Sequence, residues 1–391
     1  MAQAFGKRYL LFLLVFLGAL SAFGPFITDF YLPTLPSMAD IFQTNASMVQ
    51  LGLTMSLLGI AVGQIFFGPL SDKYGRRPIL IGTLILFIIS TVGCIYSPTI
   101  DVFNIFRFLQ GLGGAGGIVM SRSVATDCYT GRELAKTLAI VGAINGVAPV
   151  VAPVTGGMVS QTLGWQGIFW ILFAIGVVLL LMCFPFRESL DNDKRVKGSV
   201  FQVARGFLDI LKNRDFSRYV AIYGFSYGVL FAYISSASFI VQEHFGYTEL
   251  QFSVIFATNA IAIAIGSALA MKFRKMENAA LFSTAGMAAC ALLMLITCFF
   301  IDAFAVYEGL TFLMLFFMGY IFPSVTALAM EAGRKAVGAA SAVLGAGGFV
   351  FGGIISPLVG IGDIIITTNI LLFVCALIGV ILCLLGRGSK R

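Results

Sequence analysis

Residues 9–32, YLLFLLVFLGALSAFGPFITDFYL, form an apolar run that carries a single charge, Asp29. A helix needs about 20 apolar residues to cross the hydrocarbon core of a bilayer, so this run is long enough to span one. Lys7 and Arg8 precede it as they would a signal peptide. The run outlasts a signal's apolar region, however, and continues past Pro25 without a convincing cleavage site, so it is read as a retained span. Eleven further runs follow at 47–70, 78–97, 103–122, 136–159, 166–186, 218–241, 251–271, 279–299, 307–330, 337–359 and 365–386, which makes twelve spans.

Composition agrees with that pattern. Of 391 residues, 59% are apolar and 11% charged, and the mean hydropathy is +0.97. Soluble domains carry about 25% charged residues, and so few charges cannot make a polar shell. The sequence therefore describes an all-α integral membrane protein, and disordered, collagen-like, secreted disulfide-rich and nucleic-acid-binding classes are set aside. The formal net charge of +7 follows from topology. Every Lys and Arg except Arg107 lies in the tails, in loops 71–77, 123–135, 187–217, 272–278 and 331–336, or at the adjoining helix ends. The alternate loops carry Asp40, Asp101, Glu243, Glu249, Asp302 and Asp363 instead. Short basic loops stay in the cytoplasm, so both termini are expected there. Seven cysteines with no close C-x-x-C pair, and one histidine, indicate neither a disulfide framework nor a metal site.

Three segments follow: a six-span bundle at 1–186, a linker at 187–217 and a second six-span bundle at 218–391. The linker places Phe201, Phe207, Leu208 and Leu211 at roughly helical spacing beside Arg205 and Lys212, as an interfacial amphipathic helix would. The bundles echo each other at an offset of about 200 residues, SDKYGRRP against KFRKMEN and NGVAPVVAPVTGG against GAGGFVFGGIISP. Transporters built from related halves show such symmetry and hold substrate between the halves.

Charges inside spans are costly and need a reason. Asp29 in span 1 and Arg107 in span 4 stand at comparable depth, which predicts that carboxylate and guanidinium meet if the spans are neighbours. Gln110, Gly111 and Gly114 continue the face of Arg107, leaving room for a close neighbour. Gly111, Gly113 and Gly116 also spell G-x-G-x-x-G, but no strand precedes them and the dinucleotide reading fails. GFSYG at 224–228 spells G-x-S-x-G, yet the one histidine, His244, lies too far from Ser226 to activate it. Between spans 2 and 3, GPLSDKYGRRP packs Asp72, Lys73, Arg76 and Arg77 into one turn. Asp72 is placed to cap the start of span 11 through its helix dipole, latching one state of the two halves.

These residues resemble a known family. GPLSDKYGRRP resembles the loop signature of the major facilitator superfamily, RFLQGLGGAGG its span-4 signature, and NGVAPVVAPVTGG the span-5 signature of its drug:proton antiporters. TDFYLPTLP at 28–36 is similar to the bicyclomycin-resistance branch. The resemblance implies a twelve-helix, proton-driven exporter of small organic molecules in a bacterial inner membrane, expected to be monomeric, in contact with lipid and without a cofactor. It implies proton coupling at Asp29 and Arg107. Conformational switching falls to Gly68, Asp72, Gly75, Arg76, Arg77, Gln110, Gly111, Gly146, Pro149, Pro153, Gly156 and Gly157. Some relatives carry a second acidic residue earlier in span 1; here GALSAFG is neutral, which argues against more than one proton per cycle.

Substrate and proton are expected to compete at Asp29, with Arg107 tuning its charge. Aromatic and amide side chains near mid-span, Tyr31, Asn145, Tyr227, Phe231, Tyr233 and Asn259, are the candidate substrate contacts. A dedicated exporter or importer of one metabolite, or a sensor that transports nothing, remains open on the same fold. Enzyme chemistry is not supported, because the spans hold no nucleophile–base pair and no metal cluster.

Overall fold

The computed structural model describes residues 6–195, 210–270, 272–334 and 337–388. The amphipathic helix expected at 201–212 lies mostly outside these residues.

The first helices are α1 (Lys7–Asp29), the short α2 (Leu35–Ile41), α3 (Ala46–Tyr74), α4 (Arg76–Ile95), α5 (Ile100–Cys128) and α6 (Gly131–Met182). After the linker come α7 (Arg214–Phe239), α8 (Glu249–Ala270), α9 (Met276–Thr297), α10 (Phe304–Gly319), α11 (Ile321–Ala332), α12 (Val337–Ile355) and α13 (Ile364–Gly388). Helix starts are fixed locally: the Thr99 hydroxyl accepts from Val102 N, and Asn213 Oδ1 accepts from the amides of Asp215 and Phe216 at 3.1 and 3.2 Å.

Eleven helical segments among the described residues are long and apolar enough to cross a membrane. One of them, Lys136–Met182, has 47 residues, about twice what one crossing needs. It is broken at Gly164, where φ is 63° and ψ −171°. The expected spans 136–159 and 166–186 are thus joined through one non-helical glycine rather than a loop, and this one segment has the length for two of the twelve expected crossings.

The described residues form two compact units, one within Met1–Tyr31 and Met55–Ala204, the other within Leu32–Thr54 and Arg205–Arg391. Helix α3 passes from the second unit into the first at Met55. Side chains tie the 32–54 segment into its unit: Ser47 Oγ donates to Pro357 O (3.1 Å), Gln50 Nε2 to Ser235 O (3.1 Å), and Gln242 Nε2 to Pro33 O (2.9 Å).

Each unit contains very close helix crossings, and one pair of them corresponds. In the first, a Cβ added at Gly59 would meet the Phe108 carbonyl, and one at Gly111 the Ser56 carbonyl, so α3 and α5 touch through backbone. In the second, Gly266 of α8 faces the Phe316 carbonyl and Gly319 of α10 the Ile263 carbonyl. Gly59 and Gly111 recur as Gly266 and Gly319 about 200 residues later, which is the sequence echo expressed as geometry. Gly111→Ala must push two backbones apart and is expected to destabilise by about 1–3 kcal/mol or more. Gly82→Ala, at a position open within 4 Å, should leave stability within about 0.5 kcal/mol of native. Thermal unfolding of both variants in detergent checks this; equal effects would contradict it.

Candidate functional site

Arg107 is fully buried in α5, with 0% exposure. One guanidinium nitrogen donates to Ile27 O of α1 at 3.0 Å, and another to Gln110 Oε1 one turn along its own helix. Gln110 Nε2 in turn donates to Thr91 Oγ1 of α4 at 2.8 Å. The guanidinium carbon lies 4.3 Å from the centre of the Tyr31 ring and 5.6 Å from that of Phe169, so two aromatic faces complete the enclosure. Such a site depends on a planar fork. Arg107→Lys keeps the charge but offers a point donor. It should lose one of the two oxygen contacts and about 1–3 kcal/mol of stability, measured by thermal unfolding in detergent.

Asp29 ends α1 at 5% exposure, next to Thr28, whose hydroxyl donates to the Gly24 and Pro25 carbonyls one turn earlier. Helices α1 and α5 are neighbours, which meets the condition set for the pairing, but no Asp29–Arg107 ion pair forms among the described residues; the expected pairing is corrected. The reason is helical rotation. Leu20, Phe23, Gly24 and Ile27 meet α5 at Gly114, Gly117 and Ile118. Asp29, two residues beyond Ile27, is turned about 200° from it. It falls on the stripe of Gly18 and Ser21, which face Ile144 and Val141 of α6. Gly156 of α6 lies against the Phe30 carbonyl beside Asp29, so this signature glycine permits the close approach of α6 to the end of α1. Pro149 and Pro153 lie within α6, and Pro153, Gly156 and Gly157 are buried. The side chain of Asn145 and the surroundings of Gly146 lie outside what is described.

At the α3–α4 turn, Gly75 has φ 102°, a conformation that favours glycine and lets one residue reverse the chain. Arg76, 6% exposed, donates to Asp127 of α5 (2.9 Å), to Asp72 (2.5 Å) and to Ser71 Oγ (2.6 Å). Ser189 Oγ also donates to Asp127, at 3.0 Å. Ser71 Oγ donates to the carbonyl of Gly68 one turn earlier. The Glu188 carboxylate accepts from the backbone amides of Arg76 and Arg77 at 2.9 and 3.0 Å, a negative charge on the start of α4. Arg77 donates from its side chain to the carbonyls of Cys183 and Phe184. The signature therefore works as a clasp among α3, α4, α5 and the end of α6. Within it Asp72 is engaged by Arg76; the first side chains of α12, which it was expected to cap, lie outside the described residues.

The aromatic and amide candidates separate. Tyr31 is fully buried, its ring covering Arg107. On α7, Tyr227 and Phe231 share a face with Tyr223, whose hydroxyl lies 3.1 Å from that of Tyr227. Phe322 and Phe349 close round Tyr227, and Gly348 and Gly352 of α12 make room for the Tyr227 and Phe231 rings. Tyr233 points elsewhere: it stacks on Phe256 at 5.5 Å and accepts from Asn259 Nδ2 at 3.0 Å. Asp127, Glu188 and Glu308, the last beside Asn259, are charged groups that no sequence motif singles out.

Eleven membrane-length helical segments among the described residues, two related units and ionisable side chains sealed inside helices define a multi-pass membrane transporter. Residues 11–357 match the Major Facilitator Superfamily, and the chain belongs to that family. It is 36% identical over 370 residues to YdgK of Bacillus subtilis (strain 168), called an uncharacterized MFS-type transporter, covering 93% of this chain and 92% of that one. It is 30% identical over 268 residues to a bicyclomycin resistance protein homolog of Haemophilus influenzae, covering 68% and 67%. Among solved structures, a bacterial homolog of the human lysosomal transporter Spinster matches with TM-score 0.75 at 16% identity, over 97% of this chain and 96% of that one. That likeness concerns the fold alone.

Proposed function

We propose that the chain is a proton-coupled antiporter that exports small organic molecules by alternating access, in a bacterial inner membrane with both termini in the cytoplasm. The observation that carries this reading is Asp29: a carboxylate at 5% exposure, near the end of a membrane helix, with no cation paired to it among the described residues. A charge at that depth costs several kcal/mol. A proton removes it, so the carboxylate is suited to load a proton when sealed and to release it when opened to water. The missing ion pair with Arg107 favours this role, because a fixed cation would hold Asp29 ionised throughout the cycle.

Arg107 then acts as a brace. It anchors the Ile27 carbonyl, two residues before Asp29, and so fixes where the carboxylate sits on α1. The clasp around Arg76 is the element that a change of state would remake, because its Asp72 arm is 44% exposed and its Asp127 arm only 14%. The name of the Haemophilus influenzae relative supports drugs as cargo. A growth and efflux screen over chemically diverse compounds tests the reading, with a deletion strain complemented by the native chain or by Asp29→Asn. The native chain should restore extrusion of several unrelated compounds and Asp29→Asn none. Restoration for one metabolite only, or net uptake, would replace the multidrug reading with a dedicated carrier.

A further inference from the structure

Helix α10 buries Thr311, Met314, Leu315 and Met318. Glu308 heads the same stripe, three, seven and ten residues before Thr311, Leu315 and Met318. It lies about 6 Å inside the helix, counting 1.5 Å for each residue from Phe304. Its Oε2 is closed off from the surface and has no hydrogen-bond partner among the described residues. The neighbouring helix α8 supplies Asn259, 1% exposed, which donates to Tyr233 of α7 and lies beside Glu308. Asn259 Oδ1 likewise has no partner among the described residues.

Two oxygens that can only accept are therefore shut in together with too few donors. Leaving such acceptors unsatisfied is expensive, and a carboxylate charge here has no counter-ion, since no cation pairs with Glu308 among the described residues. The titratable groups about it are Tyr307 on its own helix and, through Asn259, Tyr233. A proton on Glu308 removes the charge and turns one acceptor into the missing donor.

We propose that Glu308 and Asn259, backed by Tyr233, form a second proton-binding site carried by the second half of the chain, so that each cycle moves a second proton. The last clause rests on the antiport reading; the site does not. The expectation of a single proton, drawn from the neutral start of span 1, then fails because the second carboxylate stands in the other half.

The test begins with proton binding alone. Purified full-length native chain, Glu308→Gln, Asp29→Asn and the double variant are titrated in detergent between about pH 5 and 9, a window in which ordinary carboxylates stay ionised. Each single variant should bind one proton fewer than native, and the double variant two fewer. A Glu308→Gln curve that superimposes on the native one overturns the site. Glu308→Asp keeps an ionisable group and should keep the proton, which separates loss of the proton from loss of shape. In proteoliposomes, the protons exchanged for each molecule of an exported compound should fall from two to one in Glu308→Gln. An unchanged ratio overturns its part in transport. Native protein that moves no protons with any compound overturns the antiport reading, and the detergent titration still decides the site.

Discussion

Asp29→Asn should abolish transport driven by a pH gradient while leaving the protein folded in the membrane. Asparagine keeps the size of the side chain and its capacity to hydrogen-bond, but it cannot ionise in the working range. The side chain is 5% exposed and holds no ion pair among the described residues, so the substitution removes a buried ionisable group without orphaning a cation. Thermal stability should therefore stay at or above the native value while gradient-driven flux falls to background. This combination separates a coupling residue from a structural one. Substrate binding at equilibrium should persist, weakened only for compounds whose positive charge Asp29 neutralises. Native flux in Asp29→Asn vesicles would remove Asp29 from the mechanism.

The second large effect is expected at the α3–α4 clasp. Asp127→Ala leaves the Arg76 guanidinium buried at 6% exposure with only Asp72 as counter-charge. Breaking a buried pair from one side costs about 3–5 kcal/mol, because the remaining charge is stranded. Asp72 is different. Its side chain is 44% exposed, and an ion pair with so much water about it is worth at most about 1 kcal/mol. Asp72→Ala should therefore cost a small fraction of what Asp127→Ala costs, although both carboxylates touch the same arginine. Unfolding of the two variants in detergent at equal protein concentration provides the comparison. Equal losses would show that the clasp is held by its exposed arm, contrary to the geometry.

Much of this was legible in the sequence, and the failures have physical reasons. Apolar run lengths found the crossings, but only the backbone shows that 136–159 and 166–186 are joined through Gly164. Burial cost singled out Asp29 and Arg107 correctly as charges inside helices. Their pairing was inferred from depth alone, and depth says nothing about rotation: two residues along a helix turn a side chain to nearly the opposite face. Registering α1 from Gly18 and Ser21 against Leu20 and Ile27 would have separated them. Aromatic character marks Tyr31 as a candidate contact, while only the structure shows its ring face lying over the Arg107 guanidinium. Asp127 and Glu188 stand 51 and 112 residues from Arg76, and no local pattern joins them to it. Glu308 did leave a signal, the apolar stripe it heads on α10, but it sits where the run begins and so resembled a loop residue.

The most direct test of the account is substrate-dependent proton movement by the purified protein. Native chain and Asp29→Asn are reconstituted into proteoliposomes with a pH-sensitive dye trapped inside, and a compound identified in the efflux screen is added at a fixed gradient. The account predicts that the compound collapses the pH gradient in native vesicles, in proportion to the amount transported, and leaves it intact with Asp29→Asn. Transport of the compound by native protein with no change in internal pH, or an equal pH change with Asp29→Asn, would contradict it.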